Sequence, residues 1–119
     1  MNHKDMDVWK KAIGLVTNIY AITNKFPKEE MYGITSQIRR AAVSIPSNIA
    51  EGAARQSDKE LIQFLYIALG SVAETETQLI IAANIGYLKD SPNLFQEIEN
   101  LKKMILGLIK YLKGKSHDK

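Results

Sequence analysis

Acidic, basic and histidine side chains are the groups of this 119-residue chain that could do chemistry, and few have the spacing of a reactive site. The two histidines, His3 and His117, stand near opposite ends of the chain. Neither belongs to the Glu-x-x-His pairing that holds two iron ions in a helical bundle, and the chain has no cysteine to complete a zinc site. No serine has a plausible histidine base, and no glycine-rich phosphate loop is present. We therefore expect a protein that is not an enzyme and that binds no metal and no cofactor.

The acids Glu51, Glu74 and Glu76 are candidates for structural ion pairs. Glu76 falls at the edge of an apolar helix face, where a carboxylate without a partner is costly. Arg39 and Arg40 on the preceding helix are its predicted partners. On this interpretation the pair locks two helices or two subunits together. The alternative, that Glu76 tunes a functional site, stays open.

The basic set Arg39, Arg40, Arg55 and Lys59 is the candidate nucleic-acid-binding set. The planar guanidinium of arginine suits phosphate well. However, successive residues of a helix lie about 100° apart, so Arg39 and Arg40 do not form one tight stripe. Pairing with the acids above explains these residues about as well. The net charge of +3 is modest, and the segment 110–119 has a surplus of three lysines that equals the whole of it.

Apolar residues recur at steps of four and three in four segments, a pattern that predicts four amphipathic helices. Short turns separate the segments, so neighbouring helices are expected to run antiparallel. The predicted fold class is therefore all-α, an antiparallel up-down-up-down four-helix bundle in a single domain over residues 1–119. The predicted helices span roughly 6–24, 28–54, 58–86 and 92–113, with a frayed tail at 114–119.

Capping and helix-breaking residues indicate where these helices begin and end. Ser57 and Glu60 fit a capping box, in which the serine and glutamate side chains satisfy each other's free backbone N–H groups. The other ends follow from the usual cap preferences. They are an N-cap at Asp5 or Asp7, a C-cap at Gly86, an N-cap at Ser91 before Pro92, and an end at Gly114.

The second helix has two faces that are small or apolar. Its main apolar stripe carries Ile34, Ile38, Ala41, Ile45 and Ile49. Its opposite side carries small or apolar residues as well, and a helix of this kind is usually covered on both sides. A chain of this size has only one core, so a second copy of the chain is the predicted cover. The candidate oligomer-interface residues are Val43, Ala50 and Ala54.

Pro46 lies well inside this second helix. It lacks the N–H of one backbone hydrogen bond, which predicts a kink. Alternatively, Pro46 ends one helix and Ser47 caps another. We favour a long, kinked single helix because the apolar register continues from Ile45 to Ile49.

The composition indicates an ordinary soluble chain, 45% apolar and 24% charged. The absence of cysteine suits a reducing compartment. The N-terminus is charged where a signal peptide would be apolar, and no apolar run approaches the roughly 20 residues of a membrane span. We expect a cytoplasmic protein with no membrane partner.

The run of residues 26–55, FPKEEMYGITSQIRRAAVSIPSNIAEGAAR, is followed by Ser57, Glu60, the string FLYIALGS and Glu74. This combination resembles the bacterial four-helix-bundle proteins encoded by intervening sequences of large-subunit ribosomal RNA genes, which are often labelled ribosomal-protein-like. The resemblance extends from Asp7 to the turn at Gly86, and the fourth helix matches only in pattern. The residues that match the motif by position are Arg39, Arg40, Asn48, Glu51, Gly52 and Arg55.

The resemblance implies a four-helix bundle and a ring-shaped homopentamer. One similar branch, the accessory variability determinants of retroelements, has a basic surface and binds nucleic acid and a reverse transcriptase. Our hypothesis is a non-enzymatic, cytoplasmic, homo-oligomeric scaffold, a pentamer by resemblance, that binds RNA or DNA through basic residues. The alternative is an adaptor that binds a protein partner and no nucleic acid.

Overall fold

The computed structural model describes residues 1–117, and over these residues the chain forms four α-helices and no strand. Short 3-10 turns precede the first two helices. The prediction of an all-α fold is therefore confirmed. The helices are α1 (Asp7–Thr23), α2 (Ile34–Ala53), α3 (Asp58–Asn84) and α4 (Pro92–His117), and the 3-10 turns are His3–Asp5 and Lys28–Glu30.

The helices pack as a closed antiparallel bundle, because each contacts the next and α1 also contacts α4. The direction is clear between α2 and α3. Ser44 in the middle of α2 meets Ser71 at 2.9 Å, whereas Gly52 near the end of α2 lies against Phe64 near the start of α3. The result is a rod of 53 × 23 × 20 Å. The predicted up-down-up-down arrangement is confirmed.

The core runs along the axis of this rod and is formed by the apolar stripes of all four helices. Their alignment follows from the helical period, which returns every third or fourth residue to the same side. Removing these side chains from water supplies the main driving force for folding. The largest fully buried side chains are Leu15, Ile19, Ile38, Ile45, Ile49, Leu65, Val72, Leu79, Ile98, Leu101, Ile105 and Leu112.

The second helix begins later than predicted but is continuous. Lys28–Glu30 forms a separate 3-10 turn, and Gly33 has backbone angles (φ −110°, ψ −122°) outside the helical region, so α2 begins at Ile34. Helix α2 then continues through Pro46 to Ala53. The alternative in which Ser47 caps a new helix is wrong.

The predicted N-cap of the first helix at Asp5 or Asp7 is wrong. Asp5 belongs to the preceding 3-10 turn, Asp7 is already the first residue of α1, and Met6 is the cap residue. The carbonyl of Met6 accepts from the N–H of Lys10 at 3.1 Å. The capping side chain of this region is instead that of Asn2, whose Oδ1 accepts from the N–H of Lys4 at 3.0 Å.

Two glycines predicted to end helices behave differently. Gly86 has φ +89°, the N–H of Gly86 donates to Ala83, and the N–H of Tyr87 donates to Ala82 at 2.9 Å. These two bonds form a Schellman motif and confirm the end of α3 at Gly86. By contrast, Gly114 lies inside α4, because a glycine in right-handed helical geometry costs only about 1 kcal/mol and does not stop a well-packed helix. Residues 118–119 of the predicted tail lie outside the described residues.

The start of α3 confirms Ser57 as its N-cap, which is the serine half of the predicted capping box. The Oγ of Ser57 accepts from the N–H of Glu60 at 3.2 Å. At the other turn, Pro92 is the first residue of α4, and the Ser91 hydroxyl donates to the carbonyl of Lys89 at 2.8 Å.

None of the described helices is both long and apolar enough to cross a lipid bilayer.

Candidate nucleic-acid interface

The guanidinium of Arg39 makes contacts with other residues of the same chain. Its Nε donates to Thr23 Oγ1 at 3.0 Å, and one Nη lies 3.4 Å from the carbonyl oxygen of Tyr20. The guanidinium carbon also lies 4.5 Å from the centroid of the Tyr20 ring, a cation–π contact. These contacts join α2 to the end of α1. Arg39 is therefore held by the bundle itself.

The other three residues of the predicted basic set are exposed, and Arg40 lies far from Arg55 and Lys59. Arg40 lies near the start of α2, whereas Arg55 follows its end. Fifteen helical residues correspond to about 22 Å. Arg55 pairs with Glu51 at 3.7 Å and lies over the ring of Phe64, and Lys59 is exposed on the first turn of α3. The structure thus places the predicted set at two opposite ends of α2.

Asn48 and Gly52, two further residues of the α2 motif, have structural roles within the bundle. The Nδ2 of Asn48 donates to the carbonyl and the hydroxyl of Ser44, at 2.8 and 2.9 Å. A Cβ at Gly52 would lie only 2.7 Å from the Cβ of Phe64. The close packing of α2 on α3 therefore explains Gly52, and hydrogen bonds within α2 explain Asn48.

Glu76 does not pair with Arg39 or Arg40, and the predicted partners are wrong. Lys102 of α4 is its partner, with Nζ at 3.2 Å from Glu76 and at 3.0 Å from Glu99. The reason is geometric, because Glu76 lies on the side of α3 that faces α4. The hydrogen bond to Glu99 and then that to Glu76 raise the pKa of Lys102, and the hydrogen bond from Lys102 lowers the pKa of Glu99.

Glu74, the other acid predicted to form an ion pair, lies on the outer side of the α2–α3 pair. It is exposed and lines an open groove of about 420 Å³ together with Arg40 and Gln78. Among the ion pairs of the described residues, none involves Glu74.

The described part of the chain holds no group of three His, Cys, Asp or Glu side chains able to hold a metal ion.

The strongest concentration of positive charge is on α4. After Glu99 the chain has five lysines and no aspartate or glutamate up to His117. Lys102 is held by its two glutamates, and Lys115 lies 3.5 Å from Asp58. The remaining lysines are exposed and recur with an exposed leucine at steps of three, four and three, which places them on one side of the helix. We call this side the lysine face; it consists of Lys103, Leu106, Lys110 and Lys113.

Two exposed tyrosines flank the lysine face. Lys113 Nζ donates to the hydroxyl of Tyr66 on α3 at 2.9 Å and lies 5.2 Å from the ring centroid. On the other flank, Tyr111 is 64% exposed and lines an open groove of about 610 Å³ with Lys110 and Lys115. Cationic groups beside aromatic rings can hold phosphates and bases at the same time.

The sequence reasoning missed the lysine face because it counted the lysines of residues 110–119 only toward the net charge and did not ask where Lys110 and Lys113 lie on the predicted helix 92–113. The sequence itself contains the pattern that identifies this face. Residues 100–117 contain no acid, and the lysines at 103, 110 and 113 keep a helical spacing. The helix α4 aligns these three lysines on one side.

The residues predicted for the oligomer interface lie on the outer side of α2. Val43 is 40% exposed, Ala54 is exposed and Ala50 is half-buried. A more apolar outer surface lies on α3. There Ile67 and Ile81, with Ile85 at the C-cap, are 51%, 45% and 53% exposed and lie outside the buried stripe of the helix.

Comparison with known proteins finds a family model and solved structures that are similar to this chain. The model of a family described as 23S rRNA-intervening sequence protein matches residues 4–107. A crystal structure of a protein of unknown function from the S23 ribosomal protein family of Bacteroides thetaiotaomicron VPI-5482 is similar, with a TM-score of 0.81 and 25% sequence identity. That similarity covers 92% of this chain and 99% of the other. No curated protein matches the sequence.

Proposed function

Because the chain belongs to the 23S rRNA-intervening sequence protein family, we propose that it is a non-enzymatic scaffold that forms a homo-oligomer and binds RNA or DNA. The lysine face of α4 is the contact surface in this proposal. The assembly is a homopentamer, as the resemblance implies, and it works in the cytoplasm. The proposal needs no cofactor and no metal.

The observation that supports nucleic-acid binding is the positive charge of α4 after Glu99, where no aspartate or glutamate occurs up to His117. Lys103 and Lys110 are exposed on one side of a rigid helix, seven residues and about 10 Å apart. Lysines that neutralise phosphates release condensed counterions, and this release favours binding independently of base sequence. Of the acids near this surface, Glu76 and Glu99 pair with Lys102, and Asp58 pairs with Lys115.

In this proposal, oligomerisation increases the affinity for nucleic acid because several weakly binding subunits act together. One chain has a net charge of only +3, whereas a ring of five has a net charge of about +15. Once one subunit holds a polyanion, the next lysine face meets it at a high effective concentration. Binding by the ring can thus exceed binding by one subunit without a new kind of contact.

The support for self-association is the outer side of α3. A helix that is apolar on both sides is generally covered on both sides. Ile67, Ile81 and Ile85 each leave about half of a large apolar side chain in water. A second copy that covers them would remove that surface from water. The alternative function, an adaptor for a protein partner, uses this same surface and assigns no role to the lysine face.

Salt dependence separates the two functions. We expect the affinity for a labelled RNA to fall with salt, with a slope of log K against log salt of about −2 for each subunit that uses three lysines on a single strand. The double variant Lys103→Ala/Lys110→Ala should bind more weakly and lose about 1.4 of that slope for each such subunit. The measurement is fluorescence anisotropy over a salt series.

The matched control is Lys25→Ala/Lys28→Ala. It removes the same charge from exposed lysines at the far end of the bundle from the lysine face and should leave the slope unchanged. Equal losses in both double variants would assign binding to net charge alone. An affinity independent of salt would refute the nucleic-acid function and leave the adaptor.

A further inference from the structure

We propose that the surface formed by the lysine face and Tyr111 takes single-stranded nucleic acid, with the phosphates on the lysines and a base stacked on Tyr111. The inference rests on the proposed function and adds to it the form of the ligand. A duplex keeps its bases stacked on one another, so a surface tyrosine can stack only on a base that is free of a helix.

The exposure of Tyr111 carries the inference. Its ring is 64% exposed, although it extends from the middle of a well-packed helix between the buried residues Ile109 and Leu112. Over the described residues its hydroxyl has no hydrogen-bond partner. Tyr66 and Tyr20 differ, because Lys113 binds the first and the guanidinium of Arg39 covers the second. Tyr111 is thus a free aromatic surface beside a row of cations.

The position of Tyr111 relative to the lysines suits a strand that runs along α4. Lys110 precedes Tyr111 in the chain, so the ring lies about 100° around the helix from the lysine face. Phosphates held by Lys103 and Lys110 would leave the attached bases free to turn toward the ring. Tyr111, Lys110 and Lys115 line the same groove of about 610 Å³.

Two glycines keep this groove open. Gly107 and Gly114 line it one heptad apart, and a Cβ at either position would meet no atom within 4 Å. Packing within the chain therefore does not require them, although each costs a helix about 1 kcal/mol relative to alanine. Their effect at the surface is to leave space beside Tyr111 for a flat group such as a base.

The test compares a labelled single strand of about 16 nucleotides with the same strand annealed to its complement, by anisotropy on the full chain. We expect the single strand to bind more tightly than the duplex. Tyr111→Ala should weaken single-strand binding about 5- to 100-fold, and Tyr111→Phe, which keeps the stacking ring, should stay within about twofold of the parent protein. Circular dichroism checks that both variants keep their helix content.

The control is Tyr32→Ala, which removes a tyrosine that is 97% exposed at the opposite end of the bundle and should leave binding unchanged. Salt-sensitive binding that is unaffected by Tyr111→Ala, or equal for duplex and single strand, would overturn the inference and leave the proposed function intact. Absence of salt-sensitive binding to either form would overturn both.

Discussion

At the scale of single residues, Arg39 stabilises the bundle through contacts that only an arginine can make together. Its Nε and Nη groups reach Thr23 and the Tyr20 carbonyl while its flat face lies on the Tyr20 ring. We expect Arg39→Ala to lower the free energy of unfolding by about 1–2 kcal/mol, because a cation–π contact and hydrogen bonds to a charged group are lost together. Urea denaturation measures this loss.

Arg40→Ala is the matched control for Arg39, because its side chain is exposed and makes none of these contacts. It should change the free energy of unfolding by less than about 0.5 kcal/mol. Equal effects of the two variants would contradict the structural role of Arg39. If the folded Arg39→Ala variant lost RNA binding, Arg39 would contribute to nucleic-acid binding as the sequence analysis predicted.

Gly52 gives a second prediction at this scale. Alanine normally strengthens a helix, but here its Cβ would meet the Cβ of Phe64 at 2.7 Å and the side chain of Leu61 at 3.0 Å. We expect Gly52→Ala to destabilise the protein by about 1–3 kcal/mol, because helices α2 and α3 must move apart. Gly14→Ala, where a Cβ meets nothing within 4 Å, should stabilise it by up to about 1 kcal/mol. Thermal unfolding of both variants measures the two changes in stability. Stabilisation by Gly52→Ala would contradict the close packing of α2 on α3.

The sequence did not predict which residues on different helices pair with each other. The need of Glu76 for a cation was evident from its place beside an apolar stripe. Its choice of Lys102 depends on how α3 is rotated against α4, and a single helix pattern does not contain that rotation. The pair of Glu51 and Arg55, in contrast, is local, because the two residues are only four positions apart at the end of α2, and the sequence alone can suggest it.

At the scale of elements, apolar periodicity predicted the four helices and local chemistry predicted some of their ends. Ser57 and Gly86 act as predicted because a cap and a positive φ depend on a few adjacent residues. The start of α2 and the course of α4 through Gly114 were missed. Both depend on a balance between a modest local cost and the packing of the whole helix.

The α1–α2 turn and the α3–α4 turn lie at the same end of the bundle and are joined by Tyr87, and this contact predicts a pH effect. Its hydroxyl donates to Glu30 Oε2 at 2.8 Å, and its ring packs on Phe26. The hydrogen bond to Glu30 raises the pKa of Tyr87 above its usual range. A raised pKa in the folded state means that the contribution to stability is present below the pKa of a free tyrosine, about 10, and is lost as pH rises through the folded value.

The comparison of the parent protein with Tyr87→Phe tests this effect. Tyr87→Phe should be less stable than the parent by a constant amount from neutral pH to about pH 9, and the difference should shrink above about pH 10. Urea denaturation across this range supplies both free energies. A difference that does not change above pH 10 would contradict the role of the hydrogen bond.

At the scale of the whole molecule, the exposed isoleucines of α3 predict where copies of the chain meet. We expect the double variant Ile67→Asp/Ile81→Asp to lower the mass in solution to that of one chain, 13.4 kDa, with its helix content kept. Both side chains are about half exposed in the single chain, so the change should not disturb the core. Size-exclusion chromatography with circular dichroism gives both quantities.

Val43→Asp distinguishes the α3 surface from the α2 surface favoured by the sequence pattern. Val43 is 40% exposed, close to the value for Ile81. If α3 forms the contact, Val43→Asp leaves the mass unchanged. Dissociation by Val43→Asp alone would place the contact on α2 instead.

The most direct test of the scaffold as a whole is the mass of the purified protein by light scattering, alone and then with a single-stranded RNA. The account predicts a homo-oligomer, about 67 kDa for five chains of 13.4 kDa, and a further rise in mass with RNA that disappears at high salt. A mass of 13.4 kDa that RNA does not change would contradict it, because both the multivalent ring and the nucleic-acid contact would then be absent.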